Sequence, residues 1–155
     1  MDISYKIENA DGKQRFNYRV AGIVTQGDRF LIHQFKGADF FFLVGGRVKL
    51  GETAEQALLR EFEEELGVRP LSCTVAFVAE NFFTYEAEAF HELSFYFNVE
   101  GLSPEALPLD GETRENITFL WRTRDELKTL NLQPEFLKAE LGKPLAGIRH
   151  LVHLD

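Results

Sequence analysis

At 155 residues, with 45% hydrophobic and 27% charged side chains, the chain has the length and balance of one globular domain. A chain of this size can bury roughly two thirds of its unfolded surface, and disordered, collagen-like and membrane-embedded classes are disfavoured. The formal net charge of −8 excludes a protein that holds bulk nucleic acid through many lysine and arginine contacts to phosphate, but a small anionic substrate remains compatible if divalent cations stand between the two sets of negative charge.

Met1 to Lys13 alternates polar and charged residues without a basic start or an apolar stretch. That speaks against a secretory signal and makes a cytoplasmic location the expectation. No run approaches the ~20 apolar residues that cross a bilayer, so no membrane partner is expected. Phe16, Tyr18, Val20 and Gly22 alternate through Arg15 to Thr25, Gly27-Asp28 offers a turn, and Arg29 to Phe35 is strand-like, which together read as a hairpin. Phe40 to Val44 reads as a third strand, stopped by Gly45-Gly46, where a loop should begin. Thr53 and Gln56 form a capping box. Ala57, Leu58, Phe62 and Leu66 continue at helical spacing, and Gly67 is placed to end a helix over 54–66 in the left-handed conformation.

Strands are predicted at Ser72 to Glu80, at His91 to Val99 with Leu93, Phe95 and Phe97 in alternation, and at Ile117 to Arg122. Thr123 and Glu126 open a further helix ending near Leu130, Pro134 suits the first turn of one running to Leu141, and the apolar tail Ile148 to Leu154 should dock. The sum is a mixed α/β or α+β domain, expected as a single domain over 1–155 without repeats or linkers. The lone cysteine, Cys73, reads as a small buried residue.

The sequence places acids at the wrong end of the 54–66 helix. Glu61, Glu63, Glu64 and Glu65 fill its last two turns, where the macrodipole disfavours negative charge. At ~100° per residue Glu61, Glu64 and Glu65 share about a third of the circumference, and each such like-charge pair costs on the order of 0.2–0.5 kcal/mol. Bound cations would resolve the conflict, and carboxylate oxygens suit Mg²⁺ or Mn²⁺ rather than zinc. The competing interpretation is a solvated acidic face.

From Gly46 to Val68 every defined position of the Nudix box is met: Gly46, Glu52, Arg60, Glu61, Phe62, Glu64, Glu65, Gly67 and Val68. Seven of these are single-residue requirements, so a chance match at a given start is on the order of 10⁻⁸. The approach Phe41 to Gly46 is also similar, although Val44 stands where proline is common and Lys49 where an acid is common. The resemblance implies a loop, helix and loop on an α/β/α sandwich with a mixed β-sheet. It also implies Mg²⁺ (or Mn²⁺) held by Glu61, Glu64, Glu65 and the Gly45 carbonyl, one of the glutamates doubling as the base, with Arg60 and Glu52 orienting them.

Family members often draw one further acid from downstream, for which Glu115 and Glu112 are the nearest candidates here. Substrate contacts are expected from Arg47 in the box loop, from His91, and from Tyr85, which resembles a base-stacking tyrosine of diadenosine-polyphosphate-cleaving Nudix enzymes. His150 and His153 would pair on a metal only in a helical tail. The implied activity is metal-dependent hydrolysis of a small nucleotide-like diphosphate: a nucleotide sugar, a dinucleoside polyphosphate or a nucleoside triphosphate. A homodimer stays open. The alternatives are a non-catalytic Nudix-fold nucleotide-binding regulatory module and an isomerase of the same superfamily, which would require a catalytic cysteine.

Overall fold

The computed structural model describes residues 1–144 and 146–155. The hairpin β1 (Ser4–Asn9) and β2 (Gly12–Ile23) comes first. The short β3 (Thr25–Gln26) and β4 (Arg29–Phe35) follow, then β5 (Val44–Arg47), antiparallel to the second half of β2. After α1 (Ala54–Leu66) a long hairpin is made by β6 (Ser72–Tyr85) and β7 (Glu88–Glu100). The chain continues through β8 (Thr113–Arg114), β9 (Ile117–Thr123), α2 (Arg124–Leu127), α3 (Leu137–Glu140) and β10 (Arg149–Leu154).

The larger sheet runs β1-β2-β7-β6-β10, with β5 beside β2, and mixes parallel pairs (β2 with β7, β6 with β10) with antiparallel ones. The smaller is β3-β4-β9-β8. Alternate strand residues divide the core in two. Val20, Leu31, Phe97 and Trp121 pack with Leu58, Phe62 and Leu66 of α1, whereas Ile23, Ile32, Phe77 and Tyr96 pack with Leu127, Leu137 and Leu141 around α2 and α3. Helices therefore cover sheet faces on two sides, the mixed α+β architecture expected. Among the described residues no helix is long and apolar enough to cross a membrane.

The 54–66 helix forms with both halves of its capping box and with Gly67 at φ 69°. Other expectations need correction. β2 and β4 do not form a hairpin with each other; they lie in different sheets, and the Gly27-Asp28 turn joins only β3 to β4. β2 is already occupied along its edges by β1, β5 and β7. Gly45 and Gly46 do not begin a loop but lie within β5, whose backbone sits so close to the Val20 carbonyl that a side chain at Gly45 would collide with it.

The late helices are single turns, because the amides of Leu137, Lys138 and Ala139 reach back only three residues. The tail is a strand parallel to β6, so His150 and His153 point to opposite faces and bind Glu80 and Asn81 separately, at 2.9 Å each.

Candidate active site

Burial of α1 fixes the direction of its acids. Ala57, Leu58, Phe62 and Leu66 are buried, and Phe62 rests on Gly22 of β2, where a Cβ would come within 2.6 Å of its ring. With that stripe inward, Glu61 lies on the backbone of β5: the space a side chain at Gly46 would fill holds its carboxylate. Arg60 then ties helix to loop. Its Nε and Nη2 donate to the two oxygens of Glu52 at 2.6 and 3.0 Å, Nη2 also donates to the Arg47 carbonyl at 3.0 Å, and Nη1 donates to Glu61 at 2.9 Å and Glu64 at 3.3 Å. The Lys49 amide donates to Glu52 as well. Hydrogen bonding from Arg60 holds the Glu52 carboxyl down at about 2, so the expected Arg60–Glu52 pair is an ion pair at any physiological pH.

The acids themselves are under strain from burial. Burial raises the Glu61 carboxyl against the opposing pull of Arg60. Burial pushes Glu65 up to about 8, Glu61 and Glu64 push the same way, and Arg19 opposes them. The Glu65 Oε2 atom is buried without a hydrogen-bond partner, an arrangement that is costly unless something positive or a donor arrives. Among the described residues no three His, Cys, Asp or Glu side chains converge on one ligand position; the Arg60 guanidinium lies against Glu61 and Glu64. The orphaned oxygen, the hard carboxylate donors and the side-chain-free β5 backbone are the surroundings that fit a divalent cation.

The remaining sequence candidates separate clearly. Glu115 lies exposed in the turn between β8 and β9 at φ 53°, and Glu112 is taken by the Leu109 amide and Arg114, whose Nη1 donates to the Leu66 carbonyl at the end of α1 at 3.0 Å. Arg47 pairs with Asp2 at 4.0 Å, its Nε is buried without a hydrogen-bond partner, and it is not among the residues that line the cavity described below. His91 packs between Phe82 (4.2 Å, stacked) and Phe16 (5.3 Å, edge-on), on the face of β7 away from the cavity described below. The pleat of that strand keeps His91 out of the cavity lining. Tyr85 does line the cavity, edge-on to Phe40 at 6.2 Å. Cys73 is half-buried against the core, and burial pushes its thiol up to about 11, which leaves no thiolate for an isomerase mechanism.

A cavity of about 710 Å³ opens between the larger sheet, the Phe40–Leu43 segment and the residues preceding α3. Phe40, Phe42, Phe83, Tyr85 and Phe90 give it aromatic walls, while Arg19, Asn81, Glu92 and Ser94 supply polar groups. Such a mixture suits a ligand with one flat apolar part and one charged part. Arg19 lines this cavity and is one residue from Val20, which pairs with Gly46, the residue against which the Glu61 carboxylate lies; its charge favours the ionised Glu61 and Glu65, and it makes no ion pair among the described residues. Sequence reading missed Arg19, Asn81 and Glu92. The available signal is that Asn17 and Arg19 put polar groups on the second face of a strand whose first face, Phe16, Tyr18 and Val20, is apolar.

A carboxylate-bearing helix over a glycine strand, on a mixed sheet layered by helices, defines the class, and comparison with known proteins agrees. The NUDIX domain family profile matches residues 15–141, and the chain belongs to the Nudix hydrolase family. A mutator MutT protein from Bacillus halodurans superposes with a TM-score of 0.67 at 18% identity, covering 88% of this chain and 89% of that one. A MutT Nudix hydrolase from Burkholderia pseudomallei superposes with a TM-score of 0.66 at 22% identity, covering 83% and 98%. In sequence the chain is 44% identical over 57 residues to the 8-oxo-dGTP diphosphatase of Haemophilus influenzae, a match to 34% of this chain and 42% of that relative's length.

Proposed function

We propose that this protein is a divalent-metal-dependent pyrophosphohydrolase that cleaves the diphosphate linkage of a nucleoside diphosphate joined to another group, be it a sugar, a second nucleoside or a further phosphate. The observation that carries this reading is the buried, unpartnered Glu65 oxygen on the same helix face as Glu61 and Glu64. Glu61, Glu64, Glu65 and the Gly45 carbonyl would hold Mg²⁺ or Mn²⁺. Bound there, such a cation offsets the charge of the diphosphate and favours ionisation of the attacking water.

The chain's own groups do the rest. Arg60, fixed by Glu52 and the Arg47 carbonyl, positions Glu61 and Glu64. A box carboxylate accepts the proton of the attacking water. Arg19, which lines the cavity and has no ion-pair partner among the described residues, takes a phosphate oxygen, and the aromatic walls take the flat part of the substrate. Complete retention of the box acids supports turnover over a purely regulatory binding module.

The test is a panel of nucleotide sugars, dinucleoside polyphosphates and nucleoside triphosphates assayed with Mg²⁺, with the products identified to show which bond breaks. Turnover is expected only with divalent metal, abolished by chelator and restored by Mg²⁺ or Mn²⁺. Undiminished turnover in metal-free buffer contradicts the mechanism, and saturable binding without hydrolysis replaces it with the binding-module reading.

A further inference from the structure

Strand geometry turns the cavity floor into a ruler. Side chains two residues apart on a strand share a face and lie ~7 Å apart. One row, beside β5, pairs Arg19 with Ser94 across β2 and β7. The next crosses four strands as Asn17, Glu92, Asn81 and His153. The third pairs Phe90 with Phe83, whose rings stack at 4.8 Å and 6°, near the Phe40 and Tyr85 pair. Cation, carboxylate and aromatic rings thus follow one another at roughly the spacing of phosphate, sugar and base in a nucleotide.

We propose that Glu92 accepts hydrogen bonds from the vicinal hydroxyls of a ribose, so that the substrate is a ribonucleotide rather than a deoxyribonucleotide. The inference rests on the diphosphate reading above, which places the phosphates beside Arg19. Glu92 is held in place by neutral donors: Asn17 Nδ2 donates to Oε2 at 2.9 Å, and the buried Asn17 is held in turn by Ser4 Oγ at 2.8 Å. Its flanking cations do not neutralise it. Arg15 is paired with Glu88 at 3.1 Å, and Glu92 forms no ion pair among the described residues.

A lone carboxylate on the floor of an aromatic cavity is unfavourable unless donors reach it. If its task were only to hold Asn17, a neutral glutamine would serve without the charge. A carboxylate accepts from two hydroxyls at once, and charge-assisted hydrogen bonds are the strong ones. Had Glu92 read the edge of the base instead, the base would sit one row from the phosphates, and the Phe83, Phe90, Phe40 and Tyr85 rings would be left beyond the ligand.

Nucleosides test this without phosphate, metal or turnover, so the result does not depend on whether the hydrolase reading survives. Adenosine, 2′-deoxyadenosine, uridine and 2′-deoxyuridine are titrated calorimetrically into the wild-type protein and the Glu92→Gln variant in chelator. Each ribonucleoside should bind about 10-fold tighter than its deoxy form, the worth of one hydrogen bond to a charged group. In Glu92→Gln the ratio should shrink to about twofold, with deoxynucleoside affinity, which keeps only the 3′-hydroxyl contact, falling less than ribonucleoside affinity, and melting temperature unchanged because glutamine still accepts from Asn17. Equal affinity for the ribose and deoxyribose forms, discrimination that follows the base, discrimination that survives in Glu92→Gln, or no saturable binding of any nucleoside would each overturn the proposal.

Discussion

Glu65 and His33 show burial acting on charge in opposite senses. Burial raises the Glu65 carboxyl to about 8, and burial followed by the charge of Arg19 lowers the His33 imidazole to about 4. His33 sits 2% exposed among Phe35, Phe42 and Phe119, its Nδ1 without a partner. A histidine whose folded-state pKa lies below its unfolded value of about 6.5 adds stability above that pH, because the unfolded chain takes up the proton first. That stability is lost as pH falls from about 6.5 to about 4. Replacing His33 by Phe should therefore flatten the decline of melting temperature with acid across that window. Parallel melting curves for the two proteins would show that the ring is not buried neutral. Nothing in the sequence distinguished His33 from its apolar neighbours, since its burial depends on which residues the opposite sheet brings over it.

At the scale of elements, α1 was legible in detail because its signals are local: a capping box, a stripe at helical spacing, a terminal glycine and a box of fixed residues. What α1 rests on was not. Two glycines decide that packing in different ways. A side chain at Gly22 would press on the Phe62 ring and on Val99 at 3.0 Å, whereas one at Gly46 would meet the Glu61 carboxylate first. Gly22→Ala should cost on the order of 1–3 kcal/mol of stability through overpacking. Gly46→Ala should melt within a few degrees of wild type yet lose turnover by roughly tenfold or more, because the displaced group is the carboxylate to which the proposed mechanism gives the metal. Melting temperature and kcat measured on both variants check the split. An inactive but fully stable Gly22→Ala would contradict the placement of Phe62.

At the scale of the whole molecule, the mixed sheet, the helix-covered faces and the carboxylate cluster followed from pattern and resemblance, but the pairing of strands did not. β1 went unseen although Ile3, Tyr5 and Ile7 alternate with Ser4, Lys6 and Glu8; every strand position is exposed, so the alternation marks no core-facing side. The turn between β6 and β7 went unseen because Glu86 and Ala87 adopt positive φ without the Gly or Asn that usually marks such a turn. Long pairing then carried Asn81 and Tyr85 into a strand and gathered Arg19, Glu92 and Asn81, distant in sequence, onto one cavity floor. His91, adjacent to Glu92, went to the other face by the same alternation.

On the proposed mechanism the acids of α1 serve metal chemistry at the expense of apo stability, and a matched set of glutamine variants separates the two. Glu65 is buried with an orphaned oxygen, while Glu63 on the far side of the helix pairs with Arg69 at 3.0 Å in solvent. In metal-free buffer Glu65→Gln should melt at or above the wild-type temperature, since a neutral side chain removes like-charge repulsion and charge burial. With Mg²⁺ its kcat should fall by roughly 10²-fold or more, while Glu63→Gln should match wild type in both readings. Equal activity of Glu63→Gln and Glu65→Gln would contradict the claim and leave the glutamates as a solvated face.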